Sequence, residues 1–213
     1  VLQEDIAELT TQIAKAEQEL ATEEEQKTQE GGSSTLTRSH FELLSSMASA
    51  DLDPEGLRSA YGRTMTVLFR LLFVAYAEDK ELLPYRTDGA YADRSLTTIA
   101  RELTDRRLDG DTEHEDFDGS STELWRRVSE LWTAIEKGEP SWHVPTYGGT
   151  LFSSDPDVNP DGAALADIDL SDAEFGPTLS ALLVDRSSDG LVGPVDFRSL
   201  SVREFGTIYE GLL

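Results

Sequence analysis

The chain contains no cysteine, which excludes disulfide bonds, thiol nucleophiles and cysteine-ligated zinc among its 213 residues. It also lacks a long hydrophobic run. The longest one, from Val67 to Ala77, is interrupted by Arg70 and is far shorter than the roughly 18 residues that a membrane span needs. A chain of this length can bury a real core in one domain with an appendage. We therefore expect a cytoplasmic protein that does not interact with a membrane.

Basic residues are scarce, and lysine most of all. Asp and Glu number 42 against 18 Lys and Arg, which gives a net charge of −24, and only four of the 18 are lysines. The acids are spread along the whole chain, whereas a DNA mimic would need them in phosphate-like rows. This distribution favours the surface of an extreme halophile's protein, with the acidic DNA mimic as a weaker alternative. In molar salt the Debye length is about 3 Å or less, so the acidity does not exclude DNA binding.

The motifs of a DNA methylase are absent. Such an enzyme needs a Gly-rich turn after a strand for its cofactor, and an Asn/Asp-Pro-Pro-aromatic pocket for the flipped adenine. The nearest string, at 159–162, is Asn-Pro-Asp-Gly and indicates a turn. We therefore expect no catalytic residue and no bound cofactor in this chain.

Metal sites are equally unsupported. Acids alternate at 109, 111 and 113 as in a calcium loop, but His114 and Ser120 stand where that loop needs Gly and a bidentate Glu. Glu78-Asp79-Lys80 has the letters of a nuclease motif, yet its place at a helix end favours an ordinary charged terminus. The three histidines lie far apart in sequence. We expect no metal site.

The chain divides into three regions. Residues 1–30 carry apolar side chains at heptad spacing and predict a coiled-coil-like helix, which either lies on its own domain or forms half of an arm with a partner. The second reading makes the chain an interaction or dimerisation module. Residues 31–36, which begin Gly-Gly-Ser-Ser, predict a flexible linker. Residues 37–213 predict a helical domain.

The patterns in this domain predict a mainly α fold. We expect a short helix near 38–49, a central helix from the Asp53-Pro54 start to about Lys80, and a helix from an Asp93 cap to about Leu108. Capping boxes at 120–123, 171–174 and 201–204 predict helices to Gly138, to about Val184 and at the end of the chain. Residues 138–170 are rich in Pro, Gly and Asp and predict an irregular stretch with short extended pieces.

Several short motifs resemble, in order and spacing over residues 57–213, a segment of type IIG-like restriction-modification enzymes. That segment is the helical connector just upstream of an adenine-specific DNA methyltransferase core. The motifs are the helical run at 68–78, Leu-Leu-Pro at 82–84, the Leu-Trp pairs at 124–125 and 131–132, the Pro-x-Tyr-Gly-Gly-Thr-Leu-Phe loop at 145–152, and a stretch that runs from Asp-Phe-Arg at 196–198 to Phe-Gly-Thr-Ile-Tyr-Glu-Gly-Leu-Leu at 205–213. We call residues 142–152 and 196–213 the two landmark stretches. In the family, Asn is usual in place of Gly148 and Gly in place of Thr150.

The resemblance implies a non-catalytic connector that holds a methylase core at a fixed geometry from an upstream module. We accordingly expect a piece of a longer protein, because the chain opens on Val1 and stops at Leu213 inside a helical pattern. The parent protein would bind S-adenosylmethionine and DNA, with any nuclease before residue 1 and the cofactor turn after residue 213. Its other partners would be the rest of the parent chain and, through 1–30, a coiled-coil partner.

The aromatic-flanked glycine loop is the best candidate for a structural site. Gly148 and Gly149 are able to adopt positive φ and to bring the backbone close to a neighbour. We therefore expect a strap at residues 142–152 that docks near the final helix, where Tyr209 lies. If Tyr147 is buried, its truncation to Ala should cost about 2–4 kcal/mol. The strap residues are Pro145, Tyr147, Gly148, Gly149, Phe152 and Tyr209. The candidate DNA-backbone contacts are the only adjacent arginines, Arg106, Arg107, Arg126 and Arg127.

Overall fold

The computed structural model describes Leu43 and residues 54–109, 117–186 and 191–199. The α-helices in these ranges are α1 Pro54–Asp79, α2 Gly89–Ala92, α3 Leu96–Asp109, α4 Glu123–Lys137, α5 Pro160–Ala164 and α6 Asp172–Leu183. Three 3₁₀ turns, η1 Pro140–Trp142, η2 Leu165–Asp167 and η3 Phe197–Ser199, and two strands, β1 Val184–Arg186 and β2 Val192–Pro194, complete the fold. The predicted mainly α class is confirmed.

The predicted central helix is α1, which begins at Pro54 and ends at Asp79. Its apolar residues point to almost every side, so it is buried along most of its length, for example at Leu68, Leu72 and Val74. It packs against α3, α5 and η3. Within the described ranges, no helix is both long enough and apolar enough to cross a membrane.

The helix predicted from an Asp93 cap begins later. Asp93 is the C-cap of a short helical turn, α2, and its N–H donates to the Gly89 carbonyl. The first turn of α3 is capped by Ser95, whose hydroxyl oxygen accepts from the Thr98 N–H at 3.1 Å. The acid that caps in this region is Asp88, which accepts from the Tyr91 N–H at 2.9 Å. The predicted Asp93 cap is wrong because Asp93 ends α2, and the next helix begins only after Ser95.

The two predicted capping boxes in the described ranges differ. The one at 171–174 is confirmed: the Glu174 carboxylate accepts from the Ser171 N–H at 2.8 Å, and α6 ends at Leu183. The one at 120–123 is wrong, because Thr122 is the N-cap of α4 and its side chain makes no capping bond. Instead, Asp172 at the start of α6 accepts from the Leu124 N–H at 2.9 Å. One helix therefore caps another.

The predicted irregular stretch, 138–170, contains η1, α5, η2 and one isolated bridge between Glu139 and Val144. The sequence did not predict the antiparallel hairpin, in which Val184 pairs with Pro194. Its strands are three residues each, too short for an alternating pattern. The predictions for 1–30 and 31–36, the Asp53 cap and the capping box at 201–204 lie outside the described residues. Leu43, in the predicted helix near 38–49, is helical and buried.

Candidate functional site: the strap and the end of the central helix

The predicted strap lies across α4 and the turn that follows α1. It leaves α4 through η1, where the Glu139 carboxylate accepts from the Ser141 N–H at 3.0 Å. His143 then takes a left-handed conformation with φ of 54°, and its Nδ1 lies 2.5 Å from the Asp88 carboxylate. Pro145 is exposed, and the Thr146 hydroxyl donates to the Lys137 carbonyl at 2.9 Å. Before it reaches the glycines, the strap is thus tied to the N-cap of α2 and to the end of α4.

Tyr147 joins the strap to the residues that follow α1. Its N–H donates to the Ile135 carbonyl at 3.1 Å, and its hydroxyl donates to the Leu82 carbonyl. Tyr147 is nevertheless 40% exposed. The condition for a cost of about 2–4 kcal/mol on truncation, which was a buried side chain, is therefore not met. Tyr147 holds the strap mainly through these two hydrogen bonds.

Gly148 and Gly149 have φ of 62° and 90°, the positive values that the sequence predicted. A Cβ added at either position would meet no atom within 4 Å. The idea that these glycines let the backbone approach a neighbour closely is therefore wrong. Glycine is favoured here because other residues are strained in this conformation.

Phe152 and Arg70 fix the far end of the strap. Phe152 is 4% exposed and packs edge to face on Phe73, with the ring centroids 5.3 Å apart. Arg70, on α1 and also 4% exposed, donates through Nε to the Leu151 carbonyl at 2.8 Å and through Nη2 to the Ser153 carbonyl at 3.2 Å. Its guanidinium lies over Phe152 and Trp132. Burial lowers the pKa of Arg70 to about 10, so it stays charged at neutral pH.

Asn159 ties the same segment to α5. Its amide Nδ2 donates to the carbonyls of Thr150 at 3.0 Å and Leu151 at 3.1 Å, while its Oδ1 accepts from the Gly162 N–H at 2.8 Å. The turn predicted at 159–162 thus has a second role. Arg70 stands out in the sequence because it interrupts the apolar run of α1, but no local pattern indicates the carbonyls that it binds.

Glu78 is not the ordinary charged helix terminus that its sequence indicated. It is 2% exposed and accepts hydrogen bonds from the Tyr91 hydroxyl at 2.8 Å and from the N–H groups of Leu96 at 3.0 Å and Thr97 at 2.8 Å. Desolvation raises its pKa, and these hydrogen bonds oppose the shift. The carboxylate therefore caps α3 from α1. In the part of the chain that the structure describes, no three His, Asp or Glu side chains are gathered to hold a metal ion.

The second landmark stretch reaches the end of α1. The Phe197 N–H donates to the Asp79 carboxylate at 2.8 Å, and Arg198 Nε donates to the Asp79 carbonyl at 3.0 Å. In return, Lys80 Nζ donates to the Arg198 carbonyl at 2.8 Å. We call these three hydrogen bonds the α1 lock. Tyr209 and the predicted docking of the strap near the final helix lie outside the described residues.

The predicted DNA-contact arginines are mostly engaged with the protein itself. Arg126 pairs with Glu123 at 2.7 Å and with Glu130. Arg127 pairs with Glu102 at 2.6 Å. The guanidinium of Arg106 lies 6.0 Å from the ring of Phe117, and the side chain of Arg107 is outside the described residues. Two other arginines, which the sequence did not single out, stack on aromatic rings: Arg94 on Trp142 at 4.8 Å and Arg101 on Tyr85 at 5.5 Å.

The two landmark stretches therefore meet at one end of α1, the first through the Leu82 carbonyl and the second through Asp79. This juxtaposition joins residues 65 and 118 positions apart in the chain, which no local pattern predicts. No protein-family description, curated protein or solved structure matches the chain.

Proposed function

We propose that the chain is a non-catalytic helical connector of a DNA adenine methyltransferase or restriction-modification protein. It would hold the methylase core at a fixed distance and angle from an upstream module. S-adenosylmethionine and DNA would be ligands of the parent protein. The observation that carries the proposal is the convergence of the two landmark stretches on the end of α1, the first through Tyr147 and the second through residues 197–198.

This convergence supports a positioning role because it holds residues 197–198 against the end of α1. The α1 lock engages a backbone N–H, two carbonyls and three side chains, so the peptide at 197–198 is held at several points. The strap reinforces the same region through Tyr147, and buried Arg70 fastens its other end to α1. A helix that is tied at its middle and at its C-terminal end is a suitable spacer between two modules.

The test uses the natural protein that contains this sequence. We expect the purified protein to transfer methyl groups from S-adenosylmethionine to adenines in DNA, and the 213-residue chain alone to transfer none. Absence of methyl transfer by the natural protein would contradict the proposal.

A second measurement tests the positioning role itself. Arg198→Ala removes one bond of the lock together with an exposed pair to Glu81. We expect the parent's kcat for methylation to fall while its KM for S-adenosylmethionine stays unchanged, because a misplaced core still binds its cofactor. Arg86→Ala, which removes only an exposed pair with Glu81, is the matched control.

A further inference from the structure

Arg94 and Arg101 stack on aromatic rings instead of pairing with acids. The Arg94 guanidinium lies 4.8 Å from the Trp142 ring centroid, and its Nη1 also donates to the Ala90 carbonyl at 2.8 Å. The Arg101 guanidinium lies 5.5 Å from the Tyr85 ring centroid. We call these four residues the arginine–aromatic face. Among the described residues, no carboxylate lies within ion-pair distance of either guanidinium.

Four other arginines do pair with acids in this chain, which has 42 acids and 18 basic residues. Arg86 and Arg198 pair with Glu81, Arg126 pairs with Glu123, and Arg127 pairs with Glu102. A guanidinium stacked on a ring is held by its face and keeps its N–H edge for acceptors in its plane. The four paired arginines direct N–H groups at carboxylates. Arg101 and, apart from the Nη1 that donates to Ala90, Arg94 keep their N–H groups for other acceptors.

Three acids close to these residues already have partners. Glu139, whose pKa is lowered by hydrogen bonds from Ser141 and by the charge of Arg94, accepts from the Ser141 hydroxyl at 2.7 Å. Asp88 caps α2 and binds His143, which is itself an exposed imidazole. Glu102 binds Arg127. Among the described residues, these three carboxylates are thus engaged, and neither stacked guanidinium forms an ion pair.

We propose that the arginine–aromatic face binds the phosphodiester backbone of a DNA duplex. The planar edge of a guanidinium can donate to two phosphate oxygens at once. The aromatic ring already restricts the conformations of the arginine side chain, so less conformational entropy is lost on binding. The inference rests on the proposed function, which supplies DNA as the partner. It replaces the Arg126 and Arg127 contacts, because those two guanidinium groups are occupied by Glu123, Glu130 and Glu102.

Nuclear magnetic resonance can test this contact on the 213-residue chain even if binding is weak. The chain has three tryptophans, of which Trp125 and Trp132 are 4% exposed and Trp142 is half-buried at the surface. On titration with a short DNA duplex in KCl, we expect saturable shifts of the Trp142 indole N–H and of the Arg94 and Arg101 Nε–H signals. The indole signals of the two buried tryptophans should not move.

Variants give the quantitative arm. In Arg94→Gln/Arg101→Gln, the slope of log K against log salt should be about 1 smaller in magnitude for each arginine removed. Arg126→Gln, which removes an exposed but ion-paired guanidinium, should keep the wild-type slope. Arg94→Lys/Arg101→Lys should keep the slope but bind more weakly, since lysine retains the charge without the planar fork. Matching thermal unfolding of all variants would show that the fold is intact.

The outcomes separate the two proposals. Unmoved Trp142 and arginine signals, or a slope that is unchanged in the double Gln variant, would overturn the arginine–aromatic face while methylation by the natural protein could still stand. Arginine-dependent DNA binding by the chain, with no methylation by the natural protein, would support the face and overturn the methyltransferase connector.

Discussion

Among single residues, Arg70 makes the longest-range contribution to the strap. It reaches from the middle of α1 to carbonyls 81 and 83 positions later in the chain. Replacing it with Met keeps much of the buried volume but leaves the Ser153 carbonyl without this donor. Because hydrogen bonds from a charged group contribute about 1.5–3 kcal/mol each and the guanidinium no longer has to be desolvated, we expect a net loss of about 2–4 kcal/mol in the free energy of unfolding. Chemical denaturation of Arg70→Met beside Arg126→Met would measure it.

The Arg126→Met control should change stability by less than about 1 kcal/mol, since its ion pairs are exposed. Equal losses for the two variants would show that Arg70 does not hold the strap.

Tyr147 calls for a smaller effect than a buried tyrosine would. Its hydroxyl donates to the Leu82 carbonyl, and 40% of its surface is exposed. We expect Tyr147→Phe to cost about 0.5–1.5 kcal/mol, the net value of one hydrogen bond. Tyr147→Ala should cost roughly 1–2 kcal/mol, less than a fully buried aromatic. Thermal unfolding of both variants would show whether Tyr147→Ala is the more destabilising. A Tyr147→Phe protein as stable as wild type would show that the hydroxyl does not stabilise the strap.

Glu78 predicts a specific dependence of stability on pH. Desolvation raises its pKa in the folded protein, so between the unfolded and folded values the folded protein holds a proton that the unfolded chain has released. The contribution of Glu78 to the free energy of unfolding must therefore fall as pH rises through that window. Glu78→Gln should remove this contribution, which urea unfolding at a series of pH values and constant salt would detect. A slope identical in wild type and variant would contradict the raised pKa.

At the scale of elements, α4 and α6 are coupled through a cap. Asp172 is buried, begins α6 and accepts from the Leu124 N–H at 2.9 Å in the first turn of α4. We expect Asp172→Ala to cost about 1–2 kcal/mol, because a capping bond is lost and a buried donor is left without its partner. Ser120→Ala is the control, since the exposed Ser120 hydroxyl bonds only to Asp118. Equal destabilisation of the two variants would restore Ser120 as the cap.

The elements also show where local patterns succeed. The start and end of α1, the capping box of α6 and the positive φ of Gly148 and Gly149 follow from residues within a few positions of one another. The sequence missed the capping roles of Glu78 and Asp172, whose partners lie up to 19 and 48 positions away. Packing decides which distant helix supplies such a cap. The strap loop was therefore predictable as a turn, but Arg70 was not predictable as its anchor.

At the scale of the whole molecule, a net charge of −24 should make folding depend on salt. Like charges repel more strongly in the compact state than in the unfolded chain, and added salt screens that repulsion. We expect the midpoint of thermal unfolding to rise from dilute buffer to molar KCl. Sucrose, which favours compact states without screening charge, is the control. Equal midpoints in dilute buffer and in KCl would contradict adaptation to concentrated salt.

The α1 lock also has a consequence for synthesis on the ribosome. Its bond between Arg198 and the Asp79 carbonyl joins residues 119 positions apart, so the end of α1 cannot acquire this partner until nearly all of the described chain has been made. At about 5–20 residues per second, that interval is roughly 6–24 s. During it, Asp79 and Lys80 must rely on water and neighbouring turns. The nascent chain can therefore complete its central helix early, but the end of that helix acquires its partners at 197–198 only after the residues between them have been synthesised.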